Sequence, residues 1–287
     1  MLKQRLITAL VLIPLALYAV FMLPIEWFAV AVVALMAAGA WEWAPFMGVT
    51  QTAKRWGYVI LVVAILSGCL IAVPLDEIWQ NGELHPVLKG MITLGCGWWL
   101  LATLLVINYP RSRRLWLRAR FLVGLFGLLT LVPAWAGLMA IRSIHYAEQS
   151  SYGGFVVLFV LLLVWAADVG AYFAGVRYGR KKLMPAVSPG KTIEGLIGGL
   201  ALAGVVLMVL FQWVKIPAEQ FNGYYMTGLF TVIASVFGDL NESMFKRCAG
   251  IKDSGNILPG HGGILDRIDS LTAALPVFTL CYLWLLA

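Results

Sequence analysis

The stretch "GFVVLFVLLLVWAADVGAYFAGV", residues 154–176, decides the fold class of this chain. It is apolar from end to end apart from one charged side chain, Asp168. About 20 consecutive apolar residues cross the hydrocarbon core of a bilayer as one helix. Backbone groups in lipid must be paired within their own segment, so this run predicts a transmembrane helix.

Comparable apolar runs recur along the whole sequence of 287 residues. The composition is 61% hydrophobic and 12% charged, whereas soluble domains carry about 25% charged residues. The sequence therefore predicts an all-α, polytopic membrane protein with about nine transmembrane helices. The runs lie near residues 6–24, 27–47, 57–75, 87–108, 121–141, 154–176, 192–214, 224–244 and 270–287.

Positive charge is unevenly divided between the two sides of this arrangement. If the N-terminus is cytoplasmic, 18 of the 21 Lys and Arg residues fall on cytoplasmic loops, and only Lys89, Arg142 and Lys215 do not. The positive-inside rule then predicts a cytoplasmic N-terminus and a C-terminus outside. The net charge of +7 follows from this orientation and from attraction to anionic membrane lipids, and it requires no nucleic-acid partner.

Acidic residues distinguish the two halves of the chain. Before residue 150 most of them lie in loops on the outer side, and after it all but Glu219 lie at or near the cytoplasmic side. We expect residues 1–150 to form N-terminal scaffold helices, available for dimerisation. We expect residues 151–287 to form the catalytic region, with its active site at the cytoplasmic face.

The longest polar segment is "GDLNESMFKRCAGIKDSGNILPGHGGILDRIDS", residues 238–270. Asp239, Ser243 and Lys246 have the spacing i, i+4, i+7, which puts them on one helix face. Asp266 and Asp269 share a face if their stretch is helical. Mg²⁺ typically takes one or two carboxylates together with substrate phosphates, and Asp239 and Asp266 can supply them. The alternative for Asp239 is a salt bridge with a basic residue of the segment: Lys246, Arg247 or Arg267.

The same segment has the groups that bind phosphate. Cationic side chains suit phosphate oxygens, and the candidates are Lys246, Arg247, Lys252 and Arg267. The backbone N–H groups of Gly262 and Gly263 can form an anion-binding nest. The alternative for the two glycines is a plain tight turn.

A second candidate is "VSPGKTIEG", residues 187–195. It is not a P-loop, because Pro185 stands where that motif needs glycine and no strand is predicted before it. It is typical of a helix start, with Ser188 as N-cap and Pro189 at the first helical position. A helix N-terminus beside Lys191 and Thr192 suits an anion. The alternative is an ordinary capped helix with an interfacial lysine.

Two further acidic candidates lie inside predicted spans. An ionisable residue within a membrane segment is a functional hypothesis by default, and Asp168 meets that description. Glu42, in "WEWAP", is a weaker candidate. The alternative for Asp168 is pairing with a basic residue of a neighbouring helix.

The polar segment resembles a known signature. Ser243, Lys246, Arg247, Lys252 and Asp253, followed by Gly260 to Asp269, are similar to the motif of phosphatidate cytidylyltransferases, also called CDP-diacylglycerol synthases. The match is long, with fixed internal spacings and no departure from the signature. "SPGKTIEGLIGG" and "WAADVGAYFAG" also resemble stretches of the bacterial enzymes. The resemblance covers about residues 165–270 and is only topological before them.

The resemblance implies an activity: CTP and phosphatidic acid react to give CDP-diacylglycerol and pyrophosphate. It also implies a multi-pass protein of the bacterial inner membrane, a homodimer, and Mg²⁺ as cofactor, with a second cation left open. Asp239 and Asp266 correspond to its metal ligands. The other expected roles are catalytic, for Lys246, Arg247, Lys252, Asp253, His261, Arg267 and Asp269, and substrate-binding, for Ser188, Lys191, Thr192, Ser243, Gly262, Gly263 and Asp168.

Two other functions compete with this one. A CTP-dependent lipid-alcohol kinase would bind the same nucleotide, and it would need a base such as His261 to activate a hydroxyl. A transporter also carries intramembrane charges and broken helices. The carboxylates here cluster on one side rather than at the bilayer midplane, which makes a transporter the weaker alternative.

Overall fold

The computed structural model describes residues 2–116 and 119–286, with side chains from residue 8 onward except that of residue 9. Arg118, which carries part of the predicted charge pattern, lies outside the described residues. So do the side chains of Lys3 and Arg5.

Nine long α-helices make up most of the described chain, and each overlaps one of the predicted apolar runs. The all-α prediction is confirmed, apart from two short hairpins. The helices are α1 (Leu2–Met22), α2 (Ile25–Trp43), α3 (Thr52–Ala72), α4 (Pro86–Ile107), α5 (Arg120–Arg142), α6 (Tyr152–Tyr178), α7 (Ile193–Val214), α8 (Phe221–Ala249) and α9 (Leu265–Leu285). The strands pair as β1 (Trp79–Gln80) with β2 (Glu83–Leu84), and β3 (Lys182–Met184) with β4 (Ser188–Thr192).

Seven of the described helices are long and apolar enough to cross a membrane, and α1 and α8 are not among them. In α1 the apolar stretch Leu10–Met22 is shorter than a span. In α8 the last turns carry four charged residues, Asp239, Glu242, Lys246 and Arg247. Three of these four residues, all except Glu242, are ones that the sequence marks as functional.

Large apolar side chains point outward from the bundle. Ile71 is 83% exposed, Leu100 73% and Trp213 78%. Apolar surface on this scale marks contact with a membrane or a partner. The outer faces of the helices are therefore suited to lipid.

Helix α9 lies at the centre of the bundle, packed against α2, α4, α5, α6 and α8. One buried core joins both halves of the chain and includes Met36, Leu131, Leu240 and Ala273. Residues 151–287 share this core with residues 1–150, because α9 packs against α2, α4 and α5 as well as against α6 and α8.

The crossing of α8 and α9 is close because Gly238 has no side chain. A Cβ at this position would lie 2.5 Å from the Asp269 carbonyl oxygen and 3.1 Å from Ser270 Cα. Small residues let membrane helices approach in this way. The crossing brings Asp239, the next residue of α8, beside the first turns of α9.

The segment 187–195 does not begin with a helix, so the prediction of Ser188 as N-cap and Pro189 as first helical residue is wrong. Ser188 pairs with Met184 across the hairpin of β3 and β4. Hairpin pairing therefore holds residues 188–192 in extended form, and α7 starts only at Ile193. Thr192 is the N-cap, its Oγ1 accepting from Gly195 N at 3.1 Å.

The strand β3 also corrects the expectation that no strand precedes this segment. The hairpin is no P-loop, because Pro185 still occupies the position where that motif needs glycine.

Gly238→Ala should destabilise the bundle, because the new methyl group meets backbone atoms of α9 that cannot move separately. Overpacking of this kind costs about 1–3 kcal/mol. Thermal unfolding in detergent measures the effect. The matched control is Gly97→Ala in α4, where a Cβ meets no atom of the described chain within 4 Å. A Gly238→Ala variant as stable as the parent would contradict the close crossing.

Candidate active site

The last turns of α8 present a polar face to the interior of the bundle. Ser243 Oγ donates to Asp239 Oδ1 at 3.3 Å, one turn away. Lys246 lies a further turn along and lines the same cavity as Asp239. The predicted shared face of Asp239, Ser243 and Lys246 is confirmed.

The first turns of α9 face this surface of α8. Asp266 and Asp269 lie one turn apart and line the same cavity, as expected for a helical stretch. Lys246 Nζ joins the two helices, 2.6 Å from Asp266 Oδ1. The same ammonium group lies 3.5 Å from Glu242 Oε1. One lysine therefore pairs with two carboxylates, Asp266 of the cavity wall and the buried Glu242 behind it.

Asp266 is the most heavily hydrogen-bonded carboxylate of the site. Besides Lys246, its Oδ2 accepts from Ser254 N and Ser254 Oγ, both at 2.9 Å, and from Gly263 N at 2.8 Å. Hydrogen bonds to an ionised acceptor are stronger than neutral ones. The contacts fold the loop between α8 and α9 back over the start of α9.

The predicted nest of glycine N–H groups does not form at Gly263, because that N–H already binds Asp266. Gly262 has φ +81° and its carbonyl oxygen accepts from Leu258 N at 2.9 Å. A Cβ there would approach Asp266 Oδ2 to 2.7 Å. The glycine pair therefore makes a tight turn, which was the alternative expectation.

A polar cavity of about 410 Å³ lies where α6, α8 and α9 meet. Five carboxylates and two cationic side chains reach it, so it can hold metal cations and phosphate groups together. Its lining consists of Val164, Trp165, Asp168, Asp239, Lys246, Asp253, Asp266, Arg267, Asp269, Ser270 and Leu271.

A second cavity, of about 430 Å³, adjoins the first along α6 and α7. Its lining is mostly small and apolar, with Leu183, Leu196, Leu200 and Val232 among its residues. Asp168 and Asp239 line both cavities. We call the first the polar cavity and the second the apolar cavity.

Lys191 lies in the wall of the apolar cavity. Its Nζ is 2.6 Å from Asp239 Oδ2, and its neighbour Thr192 lines the same wall. The basic partner of Asp239 is thus Lys191 rather than Lys246, Arg247 or Arg267. The pairing arises because the hairpin of β3 and β4 folds against α8, which sequence spacing does not reveal.

Several predicted site residues lie elsewhere. The described residues that line the two cavities do not include Ser188, Arg247, Lys252, His261, Gly262 or Gly263. Arg247 instead donates from Nε to the Val187 carbonyl oxygen at 3.2 Å, which anchors the hairpin. Lys252 is exposed on the loop.

Two carboxylates have a larger part in the site than the sequence suggested. Glu242 is 3% exposed and faces Lys246. Glu42 has no exposed surface and reaches the α8–α9 loop from α2. An acidic residue inside an apolar run is the sequence feature that points to Glu42, but the partners are 212 to 223 residues away.

The residues of the polar cavity fit Mg²⁺ as an ion shared between protein and substrate. Asp239 and Asp266 line one cavity, and Mg²⁺ usually takes one or two carboxylates plus phosphates. Within residues 2–116 and 119–286 no group of three or more His, Cys, Asp or Glu side chains is arranged to hold a metal. Two carboxylates leave the remaining positions around such an ion to water or to substrate phosphates.

The sequence is similar to known proteins along nearly its whole length. A model described as the cytidylyltransferase family matches residues 3–285. The chain is 40% identical over 289 residues to the phosphatidate cytidylyltransferase of Haemophilus influenzae, covering 100% of both chains. It is 44% identical over 284 residues to that of Pseudomonas aeruginosa, covering 99% of this chain and 97% of the relative. Because the match runs through nearly the whole sequence, the chain belongs to the cytidylyltransferase family.

Proposed function

We propose that this protein transfers the cytidylyl group of CTP to phosphatidic acid, giving CDP-diacylglycerol and pyrophosphate. The observation that carries the proposal is the junction of the two cavities. A charged cavity suited to a nucleotide adjoins an apolar one suited to a lipid, and Asp168 and Asp239 belong to both. The family match and the names of the relatives agree with this chemistry.

The reaction needs little help with proton transfer. A phosphate monoester has a second pKa of about 6, so the phosphatidate oxygen is already anionic at neutral pH. That oxygen attacks the α-phosphorus of CTP, a new P–O bond forms, and the bond to the β-phosphate breaks. Pyrophosphate leaves with the electron pair, and no general base is required.

The main obstacle is repulsion between two polyanions. Lys246 and Arg267 line the polar cavity, where they can bind triphosphate oxygens, and Arg267 can do so with two parallel hydrogen bonds. Lys191 lies where the lipid phosphate would enter. Asp239 and Asp266 would hold Mg²⁺, which supplies positive charge against the phosphates. Catalysis is then mostly positioning and charge stabilisation.

A lipid-alcohol kinase is less well supported. Its hydroxyl substrate would need a base, and His261, the histidine of the α8–α9 loop, is not among the described residues lining either cavity. A transporter is also less well supported, because the carboxylates gather at one end of α8 and α9 rather than in two matching halves.

Products distinguish these functions directly. Purified protein is incubated with CTP labelled on either the α- or the γ-phosphate, together with phosphatidic acid or, in a parallel reaction, with the lipid alcohol diacylglycerol. Cytidylyl transfer puts the α-label into lipid and the γ-label into pyrophosphate. A γ-label in lipid, with CDP released, would instead identify a kinase. If neither labelled form of CTP puts label into lipid, the proposal is contradicted.

The proposal includes a place in the cell. We infer nine spans in the bacterial inner membrane, with the N-terminus cytoplasmic, the C-terminus outside, and a homodimer as the assembly. The nine helices and the distribution of Lys and Arg support this topology. The polar cavity then opens to the cytoplasm, where CTP is found.

Cysteine labelling tests the orientation. The four native cysteines, which are free thiols, are replaced by serine, and one new cysteine is introduced at an exposed loop residue. Lys182→Cys, on the β3–β4 hairpin, should react with a membrane-impermeant reagent only in inside-out vesicles. Glu83→Cys, between α3 and α4, should react in intact cells. The reverse pattern would overturn the orientation and the cytoplasmic site together.

Asp239→Asn and Asp266→Asn test the metal ligands. Each change keeps the size of the side chain and removes the charge that would hold Mg²⁺, so activity should fall at least about a hundredfold, the size of several kcal/mol of lost charge stabilisation. The double variant should cost little more, because residues that act as a unit are not additive. Pyrophosphate release and thermal unfolding are measured together.

The control for this pair is Glu219→Gln, an exposed carboxylate between α7 and α8. It should retain full activity. If Asp239 and Asp266 only form salt bridges with Lys191 and Lys246, the variants should be less stable but active where folded. If both variants are active but unstable, the assignment of Asp239 and Asp266 as metal ligands is wrong.

A further inference from the structure

Glu42 is a fully buried carboxylate on α2, in the N-terminal half of the chain. Its Oε1 accepts from Ile264 N at 3.1 Å, and its Oε2 accepts from Leu265 N at 2.7 Å. The first N–H groups of a helix have no acceptor within the helix, and negative charge there is favoured by the helix dipole. Glu42 therefore caps α9 from a different helix.

Ser254 connects this cap to the polar cavity. Its hydroxyl group lies between two carboxylates, 3.2 Å from Glu42 Oε2 and 2.9 Å from Asp266 Oδ2. Its backbone N–H donates to the same Asp266 oxygen at 2.9 Å. The hydroxyl has one hydrogen, so it can donate to Glu42 while the backbone N–H of Ser254 donates to Asp266. A path of hydrogen bonds then runs from α2 through the loop to a wall of the cavity.

The loop packs so closely around the Glu42 carboxylate that it fixes the position of this group. A Cβ at Gly263 would collide with Glu42 Oε2 and Ser254 Oγ, and a Cβ at Gly255 would collide with Glu42 Oε1. Two glycines of the loop therefore close around the carboxylate. Packing this tight transmits a displacement of Glu42 to Ser254 and to the start of α9.

We propose that Glu42 is a positioning residue that orients Asp266 by holding Ser254 and the first turn of α9. The proposal deepens the proposed function and rests on it, because it assigns the orientation of Asp266 to its role as a metal ligand. Under this proposal the N-terminal half does more than support the bundle, since it fixes the geometry of a group that the C-terminal half presents.

A carboxylate suits this position and an amide does not. Both oxygens of Glu42 accept from backbone N–H groups, and the amide nitrogen of glutamine cannot accept. Glu42→Gln therefore keeps the volume of the side chain, but its amide N–H group faces the backbone N–H of Ile264 or Leu265, which is also a donor. Removing an outer partner of a metal ligand typically costs about 10–100-fold in metal affinity or activity.

The test compares Glu42→Gln with Glu26→Gln, which is the same substitution at an exposed position of the same helix. Binding of Mn²⁺, in place of Mg²⁺, is followed by electron paramagnetic resonance without substrate. We expect Glu42→Gln to weaken Mn²⁺ binding about 10-fold or more and to raise the Mg²⁺ concentration for half-maximal activity. Glu26→Gln should match the parent in both.

A purely structural role gives a different result. It predicts a lower unfolding temperature, with unchanged Mn²⁺ affinity in the protein that remains folded, and that outcome overturns the proposal. If Glu42→Gln does not fold, Ser254→Ala carries the test, because it removes only the bridging hydroxyl. Unchanged Mn²⁺ affinity in a folded Ser254→Ala would also overturn it.

Failure of the proposed function is distinguishable from failure of this inference. Absence of labelled lipid in the parent contradicts the function, whereas the Mn²⁺ measurement uses no substrate and still decides the role of Glu42. A parent protein that binds no Mn²⁺ overturns the positioning role as well, because Asp266 would then have no ion to hold.

Discussion

The site depends on the hydrogen bonds and the ion pair that the Asp266 carboxylate makes. This carboxylate accepts from Lys246 of α8, from two groups of Ser254 and from Gly263. An unpaired charge among apolar helices is costly, and each of these contacts reduces that cost. Together they connect α8, the loop and the start of α9.

Close helix packing and a polar cavity coexist because adjacent residues of α8 face different neighbours. Gly238 brings α8 against α9, and the next residue, Asp239, faces the opening that follows. The apolar cavity continues from there along α6 and α7. A water-soluble nucleotide and a membrane lipid can therefore meet at Asp239 without either leaving its own environment.

Local sequence patterns predicted the helices and much of the site, because apolar run length and the i, i+4, i+7 spacing of Asp239, Ser243 and Lys246 are set within single segments. Contacts between segments could not be predicted in this way. Lys191 meets Asp239 only because β3 and β4 form a hairpin. The pairing of these strands also moves the start of α7 from the expected Ser188 to Ile193. Glu42 lies 212 residues from Ser254, a distance at which spacing carries no information.

The central proposal is that metal held by Asp239 and Asp266 joins the nucleotide to the protein. A crystal structure with Mn²⁺ and a nonhydrolysable CTP analogue, with the metal located by anomalous scattering, tests it most directly. The account predicts a metal peak coordinated by both carboxylates and by phosphate oxygens, with Lys246 turned toward the triphosphate. A nucleotide bound outside the polar cavity, or a metal in contact with neither carboxylate, would contradict it.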